Sequence, residues 1–190
     1  MVSWLSVRFK GRLHTADCRL TTADLQLTTY NLRLTTYDLQ LTTYNLRLKK
    51  PPMTPEEIVD KMYSGDTFSQ WLGIKRLETT AGRCVLSMEV RGDMLNGFGI
   101  AHGGITYSLA DSALAFASNS QGRHAVSIET GISHLQPVRP GDILTAIAEE
   151  ENLSGRLGHY RVRVMNQEAG MVAIFRGTVF RRGEEWQAPT

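Results

Sequence analysis

Between Asn96 and Asp111 the chain reads Asn96-Gly97-Phe98-Gly99-Ile100-Ala101-His102-Gly103-Gly104, then Ile105-Thr106-Tyr107-Ser108-Leu109-Ala110-Asp111. Three features of this run can do chemistry. A glycine-rich loop opens directly into a helical pattern, and the first-turn amides of a helix have no partner inside it. Such amides can donate to a carbonyl oxygen that turns negative during reaction. Glycine at 103 and 104 lets a substrate approach that backbone closely. Asn96, just upstream, supplies a carboxamide able to orient a carbonyl or a water. Asp111 lies among apolar helix residues, where an ionised group is costly unless it has a partner or a task. Taken singly, each has a plainer reading. A Gly-Gly pair at a helix start is a turn, His102 beside it is a cap or loop brace rather than a base, and Asp111 is a helix residue at a subunit seam. Together, at these spacings, they point to carbonyl chemistry with Asp111 as the working carboxylate.

Helix geometry adds a constraint. Gly103 and Asp111 are eight positions apart, about 12 Å along one helix. An aspartate side chain cannot cover that distance, so the amide and the carboxylate of one chain cannot act on the same carbonyl. If both are catalytic, the carboxylate comes from a second subunit whose helix lies alongside. The expectation is an obligatory dimer with two composite sites.

The elements that must position these groups follow from periodicity. Ile105, Leu109, Ala113 and Phe116 recur at four, four and three, which gives one apolar face to a helix over Gly103 to Asn119. Its other positions are mostly Gly, Ala or Ser, so neighbours can enclose it closely. Thr54-Pro55-Glu56-Glu57 reads as an N-cap, a first-turn proline and two acids favoured by the helix dipole, opening a short helix through about Tyr63. Residues 71–79 and 83–90 read as strands joined at Ala81-Gly82-Arg83. Further strands are expected at about 124–136, 142–152, 158–167 and 170–182, broken at Pro137 to Asp142, Asn152 to Gly158 and Gln167 to Gly170. The fold class is α+β: a long antiparallel meander wrapped around one central helix.

Residues 1–52 have a different character. From residue 20 to 48 a seven-residue unit of the form Leu-Thr-Thr-Tyr-Asn-Leu-Arg repeats four times with variations. Its leucines fall five and two apart, whereas a coiled-coil seam needs three and four. Read as a strand, an odd period flips the apolar set to the other face at every copy. Neither regular structure buries these leucines on one face, so 1–52 reads as a low-complexity leader and 53–190 as the folded domain, with Met53 as a natural start. A transit peptide is the sharper alternative; Asp17, Asp24 and Asp38 count against it, and no apolar core of a secretory signal is present. The net charge of +2 divides unevenly: the leader has eight Lys/Arg against three Asp/Glu, while the rest has thirteen against sixteen. The folded part is thus slightly acidic and carries no nucleic-acid footprint. No run approaches the roughly 20 apolar residues of a membrane helix. The two cysteines, Cys18 and Cys84, lack metal-ligand spacing, which favours a reducing, cytoplasmic setting without metal.

In residue type and spacing, Asn96, His102-Gly103-Gly104 and Asp111 resemble the hotdog-fold acyl-CoA thioesterases of the phenylacetate-degradation (PaaI-like) type. Val126-Ser127-Ile128-Glu129 and Pro137-Val138-Arg139-Pro140-Gly141-Asp142 share that resemblance, which spans about residues 60–182. It implies a hotdog fold, a central helix in a curved antiparallel sheet, with dimers that join sheet edges and commonly pair into a homotetramer. It also implies hydrolysis of aryl- or medium-chain acyl-CoA without a cofactor. By position, Asp111 would be nucleophile or general base, the Gly103 amide would polarise the thioester carbonyl, and Asn96 would help place substrate or water. His102 would brace the loop, and Ser127 would help hold the attacking water. Arg139, Arg156, Arg161 and Arg163 are available for the CoA phosphates. Leu95, Phe98 and Tyr107 are candidates for the acyl pocket.

Three other readings compete. A hotdog hydroxyacyl-thioester dehydratase would want a histidine base paired with an acid in a different loop-and-helix arrangement. A non-catalytic acyl-CoA binder could dispense with the carboxylate. A serine or cysteine hydrolase lacks its signature here: there is no Gly-x-Ser-x-Gly elbow, and Cys84 sits among Val85, Leu86 and Met88 as a core thiol.

Overall fold

A computed structural model describes residues 22–48 and 52–188. The chain divides into two units, Met1–Lys50 and Pro51–Thr190. In the first, Thr22–Leu48 form helix α1. Its threonines bond back to carbonyls four residues earlier, as in Thr28 Oγ1 to Asp24 O and Thr35 Oγ1 to Asn31 O, the local way a helix satisfies this side chain. Leu25, Leu27, Leu32, Leu34, Leu39 and Leu41 are all exposed on it. Cys18 lies outside the described residues.

The second unit opens with α2, Pro55–Gly65. Thr54 and Glu57 form a reciprocal capping box, with Glu57 N–H donating to Thr54 Oγ1 and Thr54 N–H to Glu57 Oε2. Residues 71–74, expected to begin a strand, instead end a second short helix, α3, Thr67–Leu72. The reason is local. Asp66 accepts the Ser69 N–H at 2.9 Å to start the helix, and Gly73, at φ 74°, ends it in the left-handed region that glycine adopts without strain. Buried Leu72 and Ile74 on either side of exposed Gly73 imitate strand alternation.

Six antiparallel strands follow: β1 Lys75–Thr80, β2 Arg83–Glu89, β3 Arg123–His134, β4 Ile143–Ser154, β5 Leu157–Met165 and β6 Met171–Glu185. Between β2 and β3 runs the long helix α4, Gly103–Asn119, at the bounds its periodicity predicts. The strands form one sheet in the order β1-β2-β4-β5-β6-β3. Its inner face presents Leu144, Ala146 and Ala148 from β4, Tyr160, Val162 and Val164 from β5, and Phe175 and Val179 from β6, all buried. Against them α4 buries Leu109, Ala110, Ala113, Leu114, Phe116 and Ala117. This is the helix-in-sheet arrangement expected of a hotdog fold.

The approach is closest at Gly177 on β6, where a Cβ would stand 2.4 Å from Leu114 Cδ2. Cβ atoms do not approach that closely, so Gly177→Ala should overpack the core. We expect a loss of about 1–3 kcal/mol, read as a lower Tm with the far-ultraviolet spectrum of the folded state retained.

Strand β3 pairs with β6 on one side, and among the described residues nothing pairs with its other side. Its Val126 and Ile128 are about half exposed. A shift of register between Ser127 and Glu129 marks a bulge, with Ser127 opposite Val179 and Glu129 opposite Thr178.

Candidate active site

The loop before α4 is held by its own backbone. Asn96 N–H donates to Ile100 O at 2.8 Å, Gly99 N–H to Asn96 O at 3.0 Å, Ala101 N–H to Val138 O at 2.8 Å and His102 N–H to Met94 O at 2.9 Å. Gly99 sits at φ 74°, a turn position that favours glycine. The Asn96 carboxamide oxygen accepts the Phe98 N–H at 2.8 Å. Its oxygen is thus committed to the turn, while its NH2 group makes no hydrogen bond among the described residues. Phe98 itself projects from the loop, 90% exposed, apart from half-buried Leu95 and Tyr107.

At the start of α4, His102 is the N-cap. Its Nδ1 accepts the Gly104 N–H at 3.0 Å, and the Ile105 N–H turns back to His102 O at 2.9 Å. Of the first amides of the helix, that of Gly103 makes no hydrogen bond among the described residues. The cap therefore leaves one donor available where the sequence suggested several. A feature that periodicity does not reveal also appears here. His134, at the end of β3, lies against Gly103: a Cβ on that residue would meet His134 Nε2 at 3.1 Å. The Gly103-Gly104 pair signals a close approach but says nothing of a partner thirty-one residues away.

Two turns along α4, Asp111 is half-buried and makes no hydrogen bond or ion pair among the described residues. Burial alone pushes its carboxyl above the ordinary aspartate range. It borders a cavity of about 230 Å3 together with Ala115 and Ser118 of α4, Val126 and Ser127 of β3, and Val179 of β6. The sheet therefore brings Asp111 and Ser127 together. It does not bring either to Gly103, which lies two turns back along the helix, at its start. Asp111 also lies on a row with Gly104, Ser108 and Ala115, four, three and four apart on one helix face. Unlike the buried face of α4, that row is only partly covered or exposed.

Cys84 is buried in the core with its thiol pushed up to about 11 by desolvation, which leaves it un-ionised and unfit as a nucleophile. No group of three or more potential metal ligands occurs among the described residues. A larger hollow, about 490 Å3, lies on another part of the sheet beside Arg83, Glu149, Arg161 and Arg163. Its charges are already engaged with one another: Arg163 pairs with Glu149 at 2.9 Å and Arg161 with Glu151. Its three glutamates are all engaged, Glu149 with Arg83 and Arg163, Glu150 with Tyr160 and Gln121, and Glu151 with Arg161. Asp111 has no such partner among the described residues, so the cavity beside Asp111 is the better site. Arg156 lies over the Phe180 ring at 5.9 Å, and Arg139 forms no ion pair among the described residues.

Residues 98–173 match the Thioesterase superfamily. Over 122 residues, covering 64% of this chain and 87% of the relative, the chain is 41% identical to acyl-coenzyme A thioesterase PaaI of Escherichia coli. A putative esterase of Archaeoglobus fulgidus is 37% identical over 131 residues, 69% of this chain and 85% of that protein. The solved structure of the E. coli PaaI protein superposes with a TM-score of 0.68 at 38% identity, over 69% of this chain and 95% of that one. A Streptococcus mutans protein solved bound to acetyl CoA aligns at 27% identity with a TM-score of 0.58, over 60% of this chain and 91% of that one.

Proposed function

Since the chain belongs to the PaaI-like hotdog acyl-CoA thioesterases, we propose that it hydrolyses aryl- or medium-chain acyl-CoA at two composite sites of a homodimer, using the carboxylate of Asp111. Acyl-CoA thioester hydrolysis itself comes with the family; the residues, the acyl class and the assembly are our reading. The observation that carries it is the pairing of an unengaged, half-buried carboxylate with a single unengaged helix-start amide, too far apart to serve one carbonyl. In the proposed site the Gly103 N–H of one subunit and the Asn96 NH2 donate to the thioester oxygen. Asp111 of the other subunit attacks the carbonyl carbon or takes a proton from the attacking water. Ser127, which shares its cavity, holds that water. His102 acts indirectly, by taking up the Gly104 amide and fixing the loop. By the base route, the proton taken by Asp111 passes to the departing sulfur and CoA leaves as the thiol. By the nucleophilic route, CoA leaves as an Asp111–acyl anhydride forms; water then hydrolyses that anhydride to the free acid and Asp111 carboxylate, its proton going to the thiolate.

The open edge supports the dimer. A twelve-residue strand with one side unpaired and half-exposed valine and isoleucine is a surface proteins normally cover. In this reading β3 meets β3 of a second copy, and the row containing Asp111 meets the partner's helix. Pairing of dimers into a homotetramer accords with the family resemblance. Arg139 and Arg156 are better placed for CoA phosphates than Arg161 and Arg163, whose guanidinium groups are already paired with glutamates.

We further propose that residues 53–190 contain the whole activity, and that 1–52 are a leader outside the catalytic fold. No helix of the described residues is long and apolar enough to cross a membrane, and a reducing cytoplasm suits the free thiol of Cys84. The test measures thiol release from a panel of aryl- and fatty-acyl-CoAs by the full chain and by a chain starting at Met53. Equal kcat per subunit and a preference for aryl or medium-chain groups are expected. An inactive Met53 chain that folds and dimerises would overturn the leader assignment. A catalytically competent monomer in the ultracentrifuge would overturn the composite site.

A further inference from the structure

We propose that α1 is a self-association element that pairs with α1 of a second copy of this chain as a parallel, in-register two-stranded coiled coil. The leucines of the repeat, taken alone, fall five and two apart. On the helix the tyrosines complete a different row. Leu27, Tyr30, Leu34, Tyr37 and Leu41 are separated by three and four residues in alternation, the spacing of a left-handed seam with leucine at the first core position of each heptad and tyrosine at the second. All five are exposed on α1, by 42–63%. Leu25, Leu32 and Leu39 recur only every seven residues, with threonines three and four positions on. They offer single knobs without a continuous seam.

The polar residues flanking the seam identify the occupant. In a parallel in-register pair, the residue before a leucine of the seam faces the residue five positions later on the second helix. That places Arg33 opposite Asp38 of the second copy, and Gln26 opposite Asn31. Two-fold symmetry makes each pair twice. An antiparallel pair would instead set the Arg/Gln row against itself and the Asp/Asn row against itself. Neither Arg33 nor Asp38 takes part in an ion pair among the described residues. The seven-residue repeat thus carries both an apolar seam and a charge pattern complementary to itself in one orientation. An isolated helix of this composition is only marginal in water, and burying the seam supplies the packing it lacks.

The test uses the full chain with Cys18→Ser, so that a single introduced cysteine is the reactive one; Cys84 is buried. Under mild oxidation Leu27→Cys, Leu34→Cys and Leu41→Cys should each cross-link to themselves, about tenfold more than Leu32→Cys on the opposite side of the same helix. Asp38→Arg should weaken the Leu34→Cys cross-link, and adding Arg33→Asp should restore it. Cross-linking at only one of the three leucine positions would mean that the helices are not parallel and in register, and would overturn the proposal. Equal cross-linking at Leu32→Cys and Leu34→Cys, or none at either, would overturn it as well. None of these outcomes depends on thioesterase activity.

Discussion

Replacing Asp111 with Asn should lower kcat for acyl-CoA hydrolysis by about 10²-fold or more, while raising the Tm. The two effects share one cause. Asp111 is half-buried with no hydrogen-bond or ion-pair partner among the described residues, and desolvation raises its pKa above the ordinary aspartate value. A carboxyl whose folded pKa is raised above its unfolded one contributes stability when protonated. That contribution is full below the unfolded pKa and is lost as pH rises through the folded one. At neutral pH the ionised group therefore destabilises the fold, and a neutral Asn relieves this. As base or nucleophile, however, it works only when ionised, so the acid limb of kcat/KM should lie above the ordinary aspartate range and vanish in the Asn variant. A variant with unchanged kcat would remove Asp111 from the mechanism. A drop in kcat with a lowered Tm would point to a structural role.

Gly103→Pro should abolish the one available amide donor without breaking the helix. Gly103 is the first residue of α4, the position where proline is tolerated because its N–H has no helical partner. The residue before it, His102, sits at φ −60° and ψ 134°, a conformation that proline permits in its predecessor. The His134 ring at 3.1 Å from a Cβ must shift slightly, and its exposed position allows that. Loss of an oxyanion donor costs on the order of 10²–10³ in kcat. Mixing then tests the composite site. Gly103→Pro and Asp111→Asn chains, each inactive, should recover about a quarter of wild-type activity after subunit exchange. Half of the dimers are then mixed, and each carries one intact site. No recovery, in a mixture shown to exchange, would mean that each site is built within one subunit.

The central helix, the loop before it and the residues worth testing can all be read from the chain without coordinates. Those signals are local. A repeat of apolar residues at four and three, a cap at His102 and a Gly-Gly pair depend only on neighbours within a turn or two. The α4 bounds and the N-cap of α2 were legible for the same reason, whereas the return bond from Thr54 N–H to Glu57 appears only in the structure. Local alternation can also mislead, as at residues 71–74, where Leu72 and Ile74 read as strand until the Asp66 cap and Gly73 are weighed. Contacts between distant segments carry what no local pattern does. The strand order, with β3 at the sheet's edge beside β6, is a pairing between residues far apart in sequence, from His134 with Ala173 to Arg123 with Glu185. It puts Ser127 in one cavity with Asp111 and lays His134 against Gly103. The capping bond from Gly104 to His102, a matter of side-chain rotamer rather than residue type, leaves Gly103 as the helix-start amide that bonds to nothing among the described residues. Periodicity says which residues face inward; only the folded sheet says which of them meet.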